Sequence, residues 1–299
     1  GLPAFFRLIG TTIRSLWYVM RSDVMISWFS DYYSLLPTVL ARLLGKRVFV
    51  VAGGFDVLFV PDICGARLNP IRWFCTKNTF HLATEIFHVS HFAKSSLESL
   101  MKVRTPVRVI YNGVDVEKFA FNGVSKRRTI VLTISQAPTR GEYARKGLKD
   151  FIALASMMPD IPFVLAGVRD EALSLARRDA AGVSNLRIIP GPLSLLDDLL
   201  PLYRTAAAYC QFSITETFGL AVVEAMASGC VPIVYPNGSL PEITGSFGKQ
   251  VHSLQEAAVA VRESFSIDES HRQVIAKHAE QFSLAKREQQ ILDVLLHCE

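Results

Sequence analysis

Thr215-Glu216-Thr217-Phe218-Gly219-Leu220-Ala221-Val222-Val223-Glu224-Ala225-Met226-Ala227-Ser228-Gly229 stands between two short apolar runs, residues 207–212 before it and 231–235 after it. The runs read as strands and residues 220–228 as a helix, so the stretch is one parallel strand–loop–helix–strand unit. Phe218, Gly219 and Leu220 fall where a helix presents backbone N–H groups that no intrahelical carbonyl can take. Those donors and the positive end of the helix dipole suit a phosphate, and Gly219 lets an anion approach the backbone closely. Glu224 lies eight residues after Glu216, about two turns along the axis. Two carboxylates so spaced can grip two parts of one elongated polyol, because a carboxylate accepts hydrogen bonds from hydroxyls without donating.

The same grammar extends in both directions. Toward the N-terminus, strands are expected at 23–29 (buried), 47–52, 85–90 and 107–111, with helices at 2–20, 33–44 and 94–101. A second series follows, with strands at 129–135, 162–166 and 186–189, helices at 147–158 and 170–180, and a helix headed by Ser194. The tail from Gln255 is helical. Residues 122–128 are polar and turn-rich, which places the boundary between two Rossmann-like domains there, at 1–123 and 124–299. Ligands of such sheets bind at the carboxyl ends of the strands.

The chain carries 32 Lys+Arg against 27 Asp+Glu, and the excess is uneven. Residues 1–126 hold 15 basic and 8 acidic side chains, against 17 and 19 in the remainder. A basic first half fits either an anionic partner, such as a membrane surface or a phosphorylated substrate, or a plain solvated surface. No nucleic-acid-binding motif accompanies the charge. Arg7, Arg14 and Arg21 recur every seven residues on one helix face. Of an interfacial membrane helix and a helix packed on a sheet with its arginines in water, the second is favoured, because Thr11 and Thr12 make poor anchors. No apolar run is long enough for a membrane span. The five scattered cysteines match no metal or disulfide spacing, which implies a reduced, cytoplasmic setting.

The Glu216–Gly229 stretch resembles the signature of glycosyltransferase family four, the retaining enzymes of GT-B fold, in which two glutamates lie within E-x-F-G-x-x-x-x-E-A-M-A-x-G. The resemblance implies two Rossmann-like domains facing across a cleft: an acceptor-side domain at 1–123 and a nucleotide-sugar domain with C-terminal helices at 124–299. It implies that Glu216 holds donor-sugar hydroxyls, that Glu224 holds the ribose, and that residues 217–220 (Thr217, Phe218, Gly219, Leu220) line the donor. In the family an Arg and a Lys, the Lys before a Gly, neutralise the leaving diphosphate. Arg140 and Lys146 in Arg140-Gly-Glu-Tyr-Ala-Arg-Lys-Gly147 match that pair, with Arg145 competing for the second cation's place.

Smaller matches are Tyr111-Asn-Gly-Val-Asp115 with Phe119, Leu240-Pro-Glu242 after Asn237-Gly238, and Ile189-Pro-Gly-Pro192 where the family receives the base. Gly53 occupies the place of a histidine common in the family, while Gly54 and Asp56 border the acceptor side. His88 and His91 read as structural. Family members open with a strand and a glycine-bearing loop, whereas this chain opens with a helix, so its N-terminal domain lacks that first βα unit.

The implied activity is retaining, metal-independent transfer of a sugar from a nucleoside-diphosphate sugar to a glycan or lipid-linked saccharide, in polysaccharide biosynthesis. The implied enzyme has no cofactor, binds no nucleic acid, and is cytoplasmic with scope for peripheral membrane contact. No Asp-x-Asp triplet occurs to clamp a metal. The alternatives are a non-catalytic or truncated sugar-nucleotide-binding protein, and a GT-B enzyme of another reaction such as an epimerase or phosphorylase.

Overall fold

The computed structural model describes residues 2–121 and 128–297. Packing divides the chain into two units, Gly1–Tyr111 and Asn112–Glu299, each a parallel sheet with helices.

Unit 1 runs α1 (Leu2–Arg21), β1 (Val24–Trp28), α2 (Tyr32–Leu43), β2 (Arg47–Ala52), α3 (Pro70–Leu82), β3 (Glu85–His88), α4 (His91–Leu100) and β4 (Val107–Val109). The four strands lie in sequence order. Local signals fix the helix starts. Asp31 and Ser34 form a reciprocal capping box on α2, Asn69 caps α3 ahead of Pro70, and Ser90 caps α4. Sequence periodicity does not reveal α3, because its buried face is Thr76, Thr79 and Phe80 rather than an apolar stripe. The first strand corrects an expectation. It is not buried: Ile26 and Trp28 are about half exposed, because among the described residues β1 ends the sheet and pairs with β2 alone.

Unit 2 runs β5 (Ile130–Ile134), α5 (Arg140–Arg145), α6 (Leu148–Met157), β6 (Phe163–Ala166), α7 (Asp170–Asp179), β7 (Leu186–Ile189), α8 (Leu200–Thr205) and β8 (Ala206–Gln211). It continues with α9 (Leu220–Ala227), β9 (Val231–Val234), α10 (Leu240–Thr244), β10 (Lys249–Gln250), α11 (Leu254–Ser264), α12 (Glu269–Ala279) and α13 (Leu284–His297). The strand order is β10-β9-β8-β5-β6-β7. The chain therefore winds outward from β5 in one direction and from β8 in the other. The connections leaving these two adjacent strands run to opposite halves of the sheet, and sheets of this topology hold ligands in a crevice at such a switch point. Apolar side chains of α6, α7 and α11 pack on the sheet in one cluster that includes Phe151, Phe163 and Phe212.

The division between units comes before the expected boundary, most of which (residues 122–127) lies outside the described residues. Segment 112–121 belongs to unit 2 because its hydrogen bonds lie there. Val114 N–H donates to Phe282 O, Leu284 N–H to Val114 O, and Arg287 to Asn112 Oδ1 at 2.6 Å. Farther along, Phe121 N–H donates to Ala227 O and Ser228 Oγ to Phe119 O.

Gly147 seats α6 beneath the crevice. Its φ is +63°, and a Cβ there would stand 1.9 Å from Phe212 O. Gly147→Ala is expected to destabilise unit 2 by about 2 kcal/mol or more, from backbone strain plus overlap with rigid backbone. Gly182→Ala, at φ +85° with open space around it, carries the strain alone and costs about 1 kcal/mol. Urea unfolding midpoints of the two variants check the ranking.

Candidate active site

Three loops at the carboxyl ends of β5, β8 and β9 build the site. The β5 loop delivers Arg145 and Lys146 at the end of α5, and the β8 loop delivers Glu216. Ile214 N–H donates to Arg145 O at 2.8 Å, tying these two loops together. The β9 loop closes from below. Gly238, at φ +66°, lies so close that a Cβ would stand 2.3 Å from Glu216 O, and both Ser239 N–H and Oγ donate to that carbonyl. Only glycine allows this approach.

Glu216 is 9% exposed. Its Oε2 accepts from Lys146 Nζ at 2.8 Å, from Gln211 Nε2 at 3.2 Å and from Ser213 Oγ at 3.3 Å, with Arg145 Nη1 at 3.7 Å. Oε1 is uncommitted among the described residues and can accept a ligand hydroxyl. Burial alone would raise the carboxyl's pKa, but the Lys146 and Arg145 cations and these hydrogen bonds outweigh it and hold the pKa below the ordinary value. Gln211 is itself aligned by Tyr209, whose hydroxyl donates to Gln211 Oε1 at 3.1 Å or to Ile134 O at 3.2 Å.

Glu224, half-buried on α9, accepts from Tyr203 OH at 2.7 Å. Burial raises its pKa, and the Tyr203 bond partly offsets the rise. The Tyr209 phenol feels the charge of both Glu216 and Glu224. The Tyr209 ring lies 6.1 Å from the Tyr203 ring, which links the groups beneath the two carboxylates.

Gly219 precedes α9 in the left-handed conformation, at φ +89°, and has no side chain to cap the helix. The Val222 and Val223 N–H groups turn back onto Gly219 O at 3.0 and 3.3 Å, which leaves Leu220 and Ala221 as the first-turn donors without an intrahelical carbonyl, and Gly219 itself lies against Glu216. The opposite end of α9 is held by two arginines, Arg128 half-buried and Arg272 buried. Arg128 Nη2 donates to Ser228 O at 2.7 Å, and Arg272 Nη1 to Gly229 O at 2.9 Å. Fixed cations at a helix C-terminus complement the dipole whose positive end faces the site.

Most of the residues singled out in the sequence are brought together here: Lys146, Glu216, Phe218, Gly219, Leu220 and Glu224. Arg140 is not among them. It opens α5, its guanidinium is 3.5 Å from Glu171, its N–H donates to the same carboxylate, and its side chain is 73% exposed. Arg145 stands beside Glu216 instead.

In unit 1, Asp56 is fully buried. Its oxygens accept from the N–H groups of Gly53, Gly54 and Ser30, so it fastens the loops after β1 and β2 rather than facing solvent. Burial raises its pKa to about 6. Gly54 beside it is half-buried. A side chain at Gly53 would put Cβ 2.2 Å from a Val89 methyl, so no histidine fits there without displacing Val89. His88 is a buried, neutral imidazole whose pKa burial lowers to about 4.

Sequence reasoning missed Gln211, Ser213, Tyr203 and the two arginines behind α9. Only Gln211 carries a readable signal, as a polar residue ending the otherwise buried strand β8.

The family model for glycosyl transferases group 1 matches residues 117–282, and that for Glycosyltransferase Family 4 matches residues 2–118. The chain belongs to the glycosyl transferases group 1 family. It is 27% identical over 162 residues to a processive diacylglycerol alpha-glucosyltransferase of Acholeplasma laidlawii, a match covering 51% of this chain and 48% of the relative. It is 28% identical over 152 residues to a D-inositol 3-phosphate glycosyltransferase of Mycobacterium sp. strain KMS, covering 45% of this chain and 33% of that relative. The matches thus span about half or less of these relatives' length. Among solved structures, Anabaena Alr3699/HepE in complex with UDP superposes with TM-score 0.76 at 15% identity, over 95% of this chain and 81% of that one. A glycosyltransferase from Rickettsia africae ESF-5 gives TM-score 0.70 at 16% identity, over 98% and 83%. The fold of this group 1 family member is GT-B.

The Glu216–Lys146 pair predicts a pH-dependent penalty. Because the folded-state pKa of Glu216 is depressed, its contribution to stability is present above the ordinary carboxylate pKa and is lost as pH falls through the folded value. Lys146→Met leaves a buried carboxylate without its nearest cation. It is expected to cost about 3 kcal/mol near neutral pH and progressively less in acid, as Glu216 takes up a proton. Denaturant unfolding of parent and variant across pH measures the difference.

Proposed function

We propose that the protein transfers a sugar, with retention of anomeric configuration, from a nucleoside-diphosphate sugar to a saccharide acceptor that is a glycan or lipid-linked. The observation that carries this reading is the buried Glu216–Lys146 pair set beside the first turn of α9 at the switch point of the unit 2 sheet. The diphosphate rests on the α9 N–H groups, with Lys146 and Arg145 meeting its charge without a metal clamp. Glu216 Oε1 accepts from donor-sugar hydroxyls, and Glu224, steadied by Tyr203, accepts from the ribose.

As the bond from the anomeric carbon to the phosphate oxygen breaks, its electron pair moves onto that oxygen. Fixed cations and amides that hold the oxygen more tightly as charge grows lower the barrier. The acceptor hydroxyl forms the new bond on the face the diphosphate leaves, and its proton passes to the departing phosphate. The glutamates position substrate and form no covalent intermediate. A structure named for UDP fits a nucleotide donor, and a relative named for diacylglycerol fits an acceptor at a membrane surface. The basic N-terminal half fits a cytoplasmic enzyme in peripheral contact with that surface, supplying a polysaccharide or glycolipid pathway.

A donor is first found by thermal shift with UDP, GDP and ADP, since a ligand that binds the folded state raises its melting point. With the matching donor, Glu216→Ala and Lys146→Ala are each expected to lower turnover at least about 100-fold. Arg145→Gln should cost more than Arg140→Gln. Full activity in both the Glu216 and Lys146 variants would refute the reading.

A further inference from the structure

At the amino edge of the unit 2 sheet, opposite the edge that carries Glu216, stand two arginines that form no ion pair among the described residues. Arg128 donates to Tyr203 O and Ala206 O through Nη1 and to Ser228 O through Nη2. Arg272 donates to Ala207 O and Gly229 O through Nη1 and to Ser264 O through Nη2. Their acceptors are chain neighbours, Ala206 with Ala207 and Ser228 with Gly229, so the two guanidinium groups lie side by side. These bonds occupy both Nη1 donors and one Nη2 donor of each. The Nε–H and the other Nη2–H of both arginines lack a partner among the described residues.

Both line one cavity of about 580 Å³, within the size range of small-molecule sites. Buried Arg272 and half-buried Arg128 share its wall with the rings of Phe121 and Phe265, and the Arg128 guanidinium lies over the Phe121 ring at 5.2 Å. Asp268 and Glu269 border the same space. Asp268 is exposed and its carboxylate already caps α12, accepting from His271 N–H and Ser270 Oγ at 2.8 Å each. Exposed charge is screened by water and salt, whereas the arginines are more deeply placed and screened less. Burial, and then the Arg128 charge, pull the Arg272 pKa below the ordinary arginine value, and Glu269 offsets this only in part. The buried part of the wall thus keeps a surplus of positive charge beside open N–H donors. A group with two negative charges and several acceptor oxygens answers both, and the two rings suit a flat apolar body attached to it. The cavity adjoins the C-terminal end of α9, about 12 Å along the helix from the N-terminal end beside Glu216.

We propose that this cavity is a second ligand site, one that takes a phosphate monoester carried on an aromatic body. The phosphate oxygens accept from Arg128 and Arg272, and the ring lies against Phe121 and Phe265. The site is separate from the donor site described above, and neither assignment depends on the other.

Phenyl phosphate is the probe, titrated into the isotopically labelled full chain while backbone amide resonances are followed. It should bind saturably with a Kd of about 1 mM or tighter, shifting the amides of Thr129, Asp268 and Arg272. Phenol should not bind, and inorganic phosphate should bind about tenfold more weakly, because each offers half of what the cavity recognises. Thr129→Glu puts a negative charge at the mouth without removing a buried side chain, and Arg272→Gln removes one cation. Each should raise the Kd about tenfold or more. Should Arg272→Gln not fold, Thr129→Glu decides alone. The proposal is overturned by the absence of saturable shifts, by shifts confined to Gly219, Leu220 and Ala221 at the donor site, or by a Thr129→Glu variant that binds like the parent. Benzoate binding as tightly as phenyl phosphate also overturns it, since a single negative charge would then suffice.

Discussion

A carboxylate removed from water has to be compensated, and Glu216 is compensated across a topological seam. Its principal partner, Lys146, arrives from the strand that begins one half of the unit 2 sheet, while Glu216 follows the strand that begins the other half. Glu216 is poorly tolerated there alone, because an unpaired buried charge costs several kcal/mol, whereas the half-buried Lys146 keeps some access to water. The pair therefore requires that the β5 and β8 loops meet. Gly147 against Phe212, and Gly238 against Glu216, are the two places where the chain gives up side chains to let them do so. The arrangement leaves one oxygen of Glu216 without a partner among the described residues, next to Gly219 at the start of α9.

Around this pair the polar groups form a graded support. Tyr209 and Gln211 lie under Glu216, Tyr203 under Glu224, and Arg128 and Arg272 behind α9. Each is buried or half-buried and each spends its hydrogen bonds on a group that would otherwise be orphaned. Support of this kind fixes the orientation of Glu216 and Glu224 within the fold. The two arginines behind α9 have a cost of their own: burial and their mutual repulsion depress the Arg272 pKa. Between them they also serve carbonyls away from the end of α9: Arg128 donates to Tyr203 O and Ala206 O, and Arg272 to Ala207 O and Ser264 O.

Much of this was legible in the residues. Alternating apolar runs and caps marked nearly every strand and most helices, since βαβ periodicity is a local property. Glu216, Gly219, Glu224 and Lys146 were legible because a helix tip, a glycine and charged residues at strand ends stand out from their surroundings. Other features depend on distant contacts. Whether Arg140 or Arg145 turns toward Glu216 is decided by Glu171 on α7, which takes Arg140 away. The exposed flank of β1 follows from which strands find partners, not from the apolar run 23–29. The allegiance of segment 112–121 is set by α9 and by the chain around Phe282 and Leu284, more than a hundred residues later. Asp56 looked like an acceptor-side carboxylate, and only the backbone N–H groups converging on it reveal a fastening role.

The central claim is that a nucleoside diphosphate binds at the tip of α9 between the Glu216–Lys146 pair. Titrating the isotopically labelled protein with the nucleotide that stabilises it, while following backbone amide resonances, addresses this directly. The account predicts that Gly219, Leu220 and Ala221 shift most, together with the amides around Lys146 and Glu216. Saturable binding that leaves those amides still, while resonances elsewhere move, would contradict it.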